Sequence, residues 1–140
     1  MDKWDYRFLK LARLVGGWSK DPSRKVGAVI VDESRRVISV GYNGFAAGVE
    51  DSADRYDNRE IKYEMIIHAE VNAILFANRD LHGCTLYTWP FQPCSRCASI
   101  VVQKGINRVV SLKDDDERWA KSFTLANQIF NEAKVTVDIL

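Results

Sequence analysis

The spacing of hydrophobic and polar positions changes along the chain, and each spacing predicts a different element. Apolar residues recur at helical intervals over 4–15 and end at a pair of glycines, which predicts an amphipathic helix. Two short apolar runs follow at 26–31 and 36–40, and the polar residues 32–35 between them predict a turn. The chain is therefore expected to begin with a helix and an antiparallel hairpin.

The rest of the chain consists of a polar stretch followed by a regular alternation of helices and strands. Residues 43–60 are polar and rich in Gly, Asp and Arg, which predicts a long surface loop of the kind that usually carries function. Beyond this loop, helices are predicted at 68–79, 94–104 and 116–134, and strands at 84–89, 107–112 and 135–140. Strands separated by helices pair in parallel, so we expect an α/β fold with a mixed five-stranded sheet and helices on both faces.

Length, composition and charge restrict the class of protein. A chain of 140 residues is long enough for one core, so we expect residues 1–140 to form a single domain. No segment has the apolar length of a membrane span and the N-terminus lacks a secretory signal, so we expect a cytoplasmic protein that does not bind membranes. A net charge of +1 argues against binding of nucleic acid, whereas a small anionic substrate needs only a few local cations.

Two short motifs contain the residues best suited to metal chemistry. Cys94 and Cys97 follow Pro93, which favours a helix start and places both thiols on one helix face. His68 and Glu70 open the next predicted helix upstream in the chain. In the middle of a helix these two side chains would point about 200° apart, but at a helix start they can converge on one site.

One imidazole and two thiolates are good zinc ligands, and a catalytic zinc keeps its fourth position for water. We therefore predict that His68, Cys94 and Cys97 bind one zinc ion, while Glu70, which is not needed as a ligand, transfers protons. A structural zinc is the alternative, but it requires four protein ligands and no second Cys-x-x-Cys pair exists. His82 is interpreted as an exposed turn residue and Cys84 as a buried apolar residue, both outside the site.

The motifs His68-Ala69-Glu70 and Pro93-Cys94-Ser95-Arg96-Cys97, with the segments 19–28, 41–44 and 68–74, resemble the deoxycytidylate deaminases of the cytidine deaminase superfamily. The similarity extends over about residues 4–137. It implies a three-layer α/β/α cytidine deaminase-like fold and the hydrolysis of dCMP to dUMP and ammonia. It also implies a homohexamer that dCTP activates and dTTP inhibits, and Mg²⁺ could accompany the regulatory triphosphate.

The same resemblance implies roles for residues around the zinc motifs. Asn43 matches the asparagine that contacts the sugar and base of the substrate, and Ala69 is assigned to the same substrate site. Ser23, Arg24 and Lys25 lie where a 5′-phosphate would be held, unless they form an ordinary solvated turn. The candidates for a regulator site, for which a solvated loop is the alternative, are Gly41, Tyr42, Gly44, Arg55 and Arg59.

Two features depart from the family pattern. Some viral members carry extra Cys and His residues that bind a second zinc, and this chain has neither between positions 43 and 67, so we expect one zinc per subunit. The segment 87–93 is one residue longer than usual, so family contacts are not transferred to it. Trp89 and Phe91 in this segment could stack on the pyrimidine or pack against neighbouring helices.

Two other functions are compatible with the zinc motifs. An enzyme that edits bases in DNA or RNA uses the same metal chemistry, but it would need a basic channel bearing aromatic residues. A non-catalytic nucleotide sensor could keep the fold and the metal, but it would have no use for Glu70. Both are less well supported by this sequence than hydrolysis of a free nucleotide.

Overall fold

The computed structural model describes residues 1–140, and helices alternate with strands along most of the chain. The strands are β1 (Gly27–Val31), β2 (Val37–Tyr42), β3 (Thr85–Trp89), β4 (Arg108–Ser111) and β5 (Thr136–Ile139). The helices are α1 (Lys3–Gly16), α2 (Ala53–Asp57), α3 (Arg59–Met65), α4 (Ala69–Ala77), α5 (Ser95–Gln103) and α6 (Glu117–Glu132). No helix combines the length and the apolar character that crossing a membrane requires.

The sheet is mixed and five-stranded, as predicted, with the strand order β2-β1-β3-β4-β5. Strand β1 is antiparallel to both β2 and β3, while β3, β4 and β5 run parallel to one another. Because Gly27 pairs with both Tyr42 and Trp89, the start of β1 and the ends of β2 and β3 lie at one end of the sheet. This topology brings together three segments that are distant in sequence, namely the turn before β1 and the residues that follow β2 and β3.

The helices cover the two faces of the sheet unequally. Helix α1 alone packs on one face, which we call the α1 face, around Phe8, Val29 and Tyr87. Helices α4, α5 and α6 pack on the other face, which we call the site face, around a larger apolar core that includes Leu86 and Phe130. The predicted three-layer arrangement with helices on both faces is confirmed.

Two glycines allow helices to lie directly against strands. A Cβ atom on Gly27 would lie 1.8 Å from the carbonyl oxygen of Ala12 in α1. A Cβ atom on Gly41 would lie 2.4 Å from the amide nitrogen of Ala73 and 2.5 Å from the carbonyl oxygen of Ala69 in α4. Gly41 therefore sets the distance between β2 and α4, and with it the position of the first turn of α4.

The prediction of a long surface loop over 43–60 was wrong in part, because this stretch contains α2 and the beginning of α3. Each helix begins at a capping side chain: Ser52 accepts a hydrogen bond from the amide of Arg55, and Asn58 accepts one from the amide of Ile61. These capping residues are the feature of the sequence that indicated the two helix starts. Periodicity missed the helices because α3 buries Lys62 instead of an apolar stripe.

Candidate active site

The three predicted zinc ligands lie where α4 and α5 begin. His68 is the N-cap of α4 and Cys94 is the N-cap of α5, both with extended backbone conformations, and Cys97 lies in the first turn of α5. The predicted helices began one residue earlier, at His68 and Cys94 themselves. Because an N-cap residue lies outside the regular helix, the side chains of His68 and Glu70 are not held on opposite faces.

The ligand atoms of these residues are close enough for a single metal ion. The Nδ1 atom of His68 lies 3.2 Å from the Sγ atom of Cys97 and 3.6 Å from that of Cys94, and all three atoms lie within 4.8 Å of one another. In a tetrahedral zinc site with ordinary bond lengths, a nitrogen and a sulfur ligand are separated by about 3.5 Å. The donor set and its spacing therefore fit zinc, with His68, Cys94 and Cys97 as the protein ligands.

Hydrogen bonds within this group favour a thiolate. A hydrogen bond from Cys97, with a second from His68, lowers the pKa of Cys94 to about 4. The same bonds raise the pKa of Cys97 and that of His68, because each of them donates to Cys94. Helix N-termini also favour a negatively charged sulfur. The arrangement suits a cation, since a metal binds thiolates and displaces their protons.

Glu70 is the carboxyl group nearest in sequence to the metal ligands, and it is buried, with 4 % of its surface exposed. Burial raises its pKa, because desolvation disfavours the charged form. Glu70 lines the same cavity as His68 and Cys94. This position is suitable for a group that accepts and returns protons beside a metal.

A cavity of about 460 Å³ opens over these residues. Five segments line it: the turn before β1, Asn43 after β2, the α2–α3 segment, the beginning of α4 and the beginning of α6. Phe91 and Cys94 complete it from the segment that follows β3. Its volume lies within the range of small-molecule sites.

The structure brings Asn43 and the turn before β1 to this cavity, but not all of the predicted phosphate residues. The Oδ1 atom of Asn43 accepts a hydrogen bond from the amide of Val26 at 2.9 Å, and its Nδ2 atom donates to the carbonyl of Arg24 at 2.7 Å. Asn43, Ser23 and Arg24 line the cavity. Lys25 does not, because its ammonium group donates to the carbonyl of Ser19.

The candidates for a regulator site are dispersed. Gly41 lies beneath α4, the carbonyl of Tyr42 accepts a hydrogen bond from Asn72, and Gly44 pairs with Ile67 in an isolated bridge, which are structural contacts. Arg55 donates to the carbonyl of Glu50 and does not line the cavity. Arg59 does line it, in the same space as the zinc ligands.

Several cavity residues were missed by sequence reasoning. They come from α3 and from the beginning of α6, and they are Lys62, Tyr63, Asp116, Arg118 and Trp119. The ring of Trp119 stacks on Phe91 with a centroid distance of 6.4 Å and an angle of 20°. Phe91 therefore lies in the cavity wall, whereas Trp89 packs on the α1 face and is covered by Arg13. Of the two residues set aside, His82 is exposed and Cys84 is buried in the core.

Comparisons with known proteins agree with this geometry. A family model described as the cytidine and deoxycytidylate deaminase zinc-binding region matches residues 2–113. The chain is 47 % identical to the uncharacterized deaminase in the luxG 3′ region of Aliivibrio fischeri, over 98 % of this chain and 93 % of that one. It is 36 % identical to the deoxycytidylate deaminase of Homo sapiens, over 96 % of this chain and 78 % of that one.

A solved structure shows the same fold. The crystal structure of the dCMP deaminase from the cyanophage S-TIM5 in apo form matches with a TM-score of 0.78 and 21 % identity, over the full length of both chains. The zinc-ligand geometry, the match to the family model and the two relatives lead to one assignment. The chain belongs to the zinc-dependent cytidine and deoxycytidylate deaminase family.

Proposed function

We propose that this protein hydrolyses dCMP to dUMP and ammonia. The observation that carries the proposal is that three zinc-ligand side chains and the buried Glu70 meet at one cavity, which is also lined by cationic side chains. The activity of relatives named deoxycytidylate deaminase supports the choice of substrate. A cytosine nucleotide offers an amine for hydrolysis and a phosphate that cations can bind.

Zinc, when bound by His68, Cys94 and Cys97, activates water as a nucleophile near neutral pH. Replacement of the C4 amine by water moves two protons: both leave the water oxygen, which becomes the C4 carbonyl oxygen, and one reaches ring N3 while the other reaches the departing amine. We assign both transfers to Glu70, because it is buried and lines the cavity with His68 and Cys94. Three other carboxylates line the cavity: those of Asp21 and Asp116 are occupied by hydrogen bonds to neighbouring cations and amides, and that of Asp57 is on an exposed residue, unlike the buried Glu70.

The remaining substrate contacts follow from the cavity. We assign Asn43 and the beginning of α4 at Ala69 to the side that faces the sugar and base, because both line the cavity next to His68. Ser23 and Arg24 line the part of the cavity that we assign to the 5′-phosphate.

The test measures ammonia release from dCMP, deoxycytidine and a cytosine-containing single-stranded oligonucleotide by the zinc-loaded protein. We expect kcat/KM to be roughly 10- to 100-fold higher for dCMP than for deoxycytidine, because the phosphate adds a charged contact. We expect no turnover of the oligonucleotide. Equal turnover of deoxycytidine, or turnover of the oligonucleotide alone, would contradict the proposal.

We further propose that the enzyme is a homohexamer activated by dCTP and inhibited by dTTP, with Mg²⁺ bound to the regulatory triphosphate. The resemblance to deoxycytidylate deaminases supports this proposal, with Gly41, Tyr42, Gly44 and Arg55 as the region to examine. Ligands that favour different states of one assembly shift its activity in opposite directions. Light scattering combined with dCMP saturation curves tests it, and a monomer with hyperbolic kinetics that ignores both triphosphates would overturn it.

A further inference from the structure

The cationic side chains that line the cavity differ in how their charge is balanced. Apart from the ring of His68, they are Arg24, Arg59, Lys62 and Arg118. Arg24 pairs with Asp114 at 2.9 Å and with Asp116 at 3.3 Å, and Arg118 pairs with Asp116 at 2.7 Å. The hydrogen bond from Arg118 holds the pKa of Asp116 at about 2, so this carboxylate is charged at neutral pH. The acidic segment before α6 thus neutralises two of the four cations.

Arg24 is also fixed by aromatic contacts. Its guanidinium carbon lies 4.3 Å from the ring centroid of Phe91 and 5.8 Å from that of Trp119. These contacts join the turn before β1 to the segment after β3 and to the beginning of α6. Arg24 therefore holds the cavity wall in place, and its ion pairs leave little of its charge for a ligand.

Lys62 is the buried cation of the cavity, with 11 % of its side chain exposed. Its Nζ atom donates to the hydroxyl of Ser23 at 2.8 Å and to Asp21 at 3.3 Å. An ammonium group has three N–H donors, so one remains for a ligand. Asp21 also accepts hydrogen bonds from the hydroxyl and amide of Ser23 and from the amide of Arg24, so its negative charge is shared among several donors.

Arg59 lies three residues before Lys62 in α3 and forms no ion pair with a carboxylate. Its Nε and Nη2 atoms both donate to the hydroxyl of Tyr63, at 3.1 Å and 3.0 Å. The guanidinium group has five N–H donors, so it retains donors and an unbalanced positive charge. Arg59 and Lys62 are neighbours on one helix face, since residues three apart lie on the same side.

We propose that Lys62 and Arg59 form the recognition site for the 5′-phosphate of the substrate, with the hydroxyl of Ser23 holding the ammonium group of Lys62 in place. This inference rests on the proposed function and names the residues that select a nucleotide over a nucleoside. Arg24 then acts as a positioning residue, and Lys25 lies outside the site. Charge-assisted hydrogen bonds to a phosphate are stronger than neutral ones, so these groups determine the preference for dCMP.

The experiment measures kcat and KM for dCMP and deoxycytidine with the zinc-loaded Lys62→Gln and Arg59→Gln variants. We expect kcat/KM for dCMP to fall roughly 10- to 100-fold in each variant, mainly through KM, with the value for deoxycytidine unchanged. Lys20→Gln and Arg35→Gln are the matched controls, because both cations are exposed and pair with Asp51 and Asp2 away from the cavity. Arg59→Gln tests the proposal at an exposed position if Lys62→Gln folds poorly.

A binding measurement separates this inference from the proposed function. The wild-type protein should bind the product dUMP at least about tenfold more tightly than deoxyuridine in calorimetry, and both variants should lose that difference. Variants that keep the wild-type preference, or a selective loss in Lys25→Gln instead, would overturn the inference while leaving dCMP hydrolysis intact. A wild-type protein that does not deaminate dCMP would instead defeat the proposed function.

Discussion

The N-terminus of α1 differs from those of the two helices that begin at the metal ligands. On the α1 face, Asp2 caps α1 by accepting hydrogen bonds from the amides of Trp4 and Asp5, and the carboxylate of Asp5 accepts a hydrogen bond from the amide of Asp2. On the site face, α4 and α5 begin at His68 and Cys94, and neither side chain makes a capping hydrogen bond. The capping bonds stabilise the start of α1, whereas the side chains at the starts of α4 and α5 remain available to bind a metal ion.

The two faces also differ in the surroundings of their buried carboxyl groups. On the α1 face, Asp5 is 3 % exposed and is bound by both Nη atoms of Arg108 at 2.8 Å and 2.9 Å and by the hydroxyl of Tyr87 at 2.6 Å. Arg108 also binds Asp138, which ties α1, β3, β4 and β5 together. These bonds hold the pKa of Asp5 far below its usual range. Glu70 on the site face is equally buried, but burial raises its pKa.

The comparison predicts that replacing Glu70 with its amide affects catalysis, whereas replacing Asp5 with its amide affects stability. Glu70→Gln keeps the shape of the side chain and removes the proton carrier, so dCMP turnover should fall by at least roughly 10²–10⁴-fold. Zinc content and the melting temperature should stay at wild-type values. Steady-state kinetics and metal analysis on the same sample check this, and a variant that keeps a large part of its activity, or loses zinc, contradicts the role of Glu70.

Two cysteine substitutions distinguish the loss of a metal ligand from the loss of a core residue. Cys94→Ser should lower zinc affinity by more than the roughly 10- to 100-fold typical of changes around the ligands, because it removes a ligand itself. Cys84→Ser is the matched control, since Cys84 is buried in the core away from the ligands. Metal analysis after dialysis should give one zinc per chain for Cys84→Ser and the wild type. Full zinc in Cys94→Ser, or two zincs in the wild type, would contradict the single three-ligand site.

On the α1 face, replacing a buried carboxylate with an amide should lower the stability of the protein and leave its catalytic activity intact. Asp5→Asn leaves Arg108 without its main partner and should lower the free energy of unfolding by about 2–3 kcal/mol, less than for a fully buried pair because Arg108 is partly exposed. Denaturant unfolding measures this. Asp51→Asn is the control, because its ion pair with Lys20 is exposed and its loss should not change the midpoint. Equal stability of Asp5→Asn and the wild type would mean that the network does not hold α1.

The smallest expected effect is a difference in acid stability. An unfolded aspartate titrates near pH 4, and the folded pKa of Asp5 is lower, so its stabilising contribution is complete above about pH 4 and is lost as the pH falls further. The wild type should therefore lose more stability than Asp5→Asn between about pH 4 and pH 2. Thermal unfolding at several pH values in this window checks the prediction. Parallel curves would show that Asp5 does not contribute to the acid transition.

The elements that sequence patterns predicted well are those with local signals. The helices and strands on both faces of the sheet lie within two residues of the predicted bounds, because apolar periodicity reflects which side of each element is buried. Helices α2 and α3 were missed because their buried side chains include Lys62, which a hydrophobic pattern reads as solvent-exposed.

The sequence by itself predicted the zinc ligands and Glu70, since His68 and Glu70 lie at one helix start and Cys94 and Cys97 lie at another. The tertiary structure brings the two helix starts together, so that the ligand atoms lie within 4.8 Å of one another. Only the tertiary structure decided which cations face the cavity. Lys25 and Lys62 have the same chemistry, but Lys62 reaches Ser23 across 39 residues, while Arg24 is held by Asp114 across 90 residues. Such pairings depend on how α3 and the beginning of α6 pack over the turn before β1, and the packing of distant segments leaves no periodic signal in the chain.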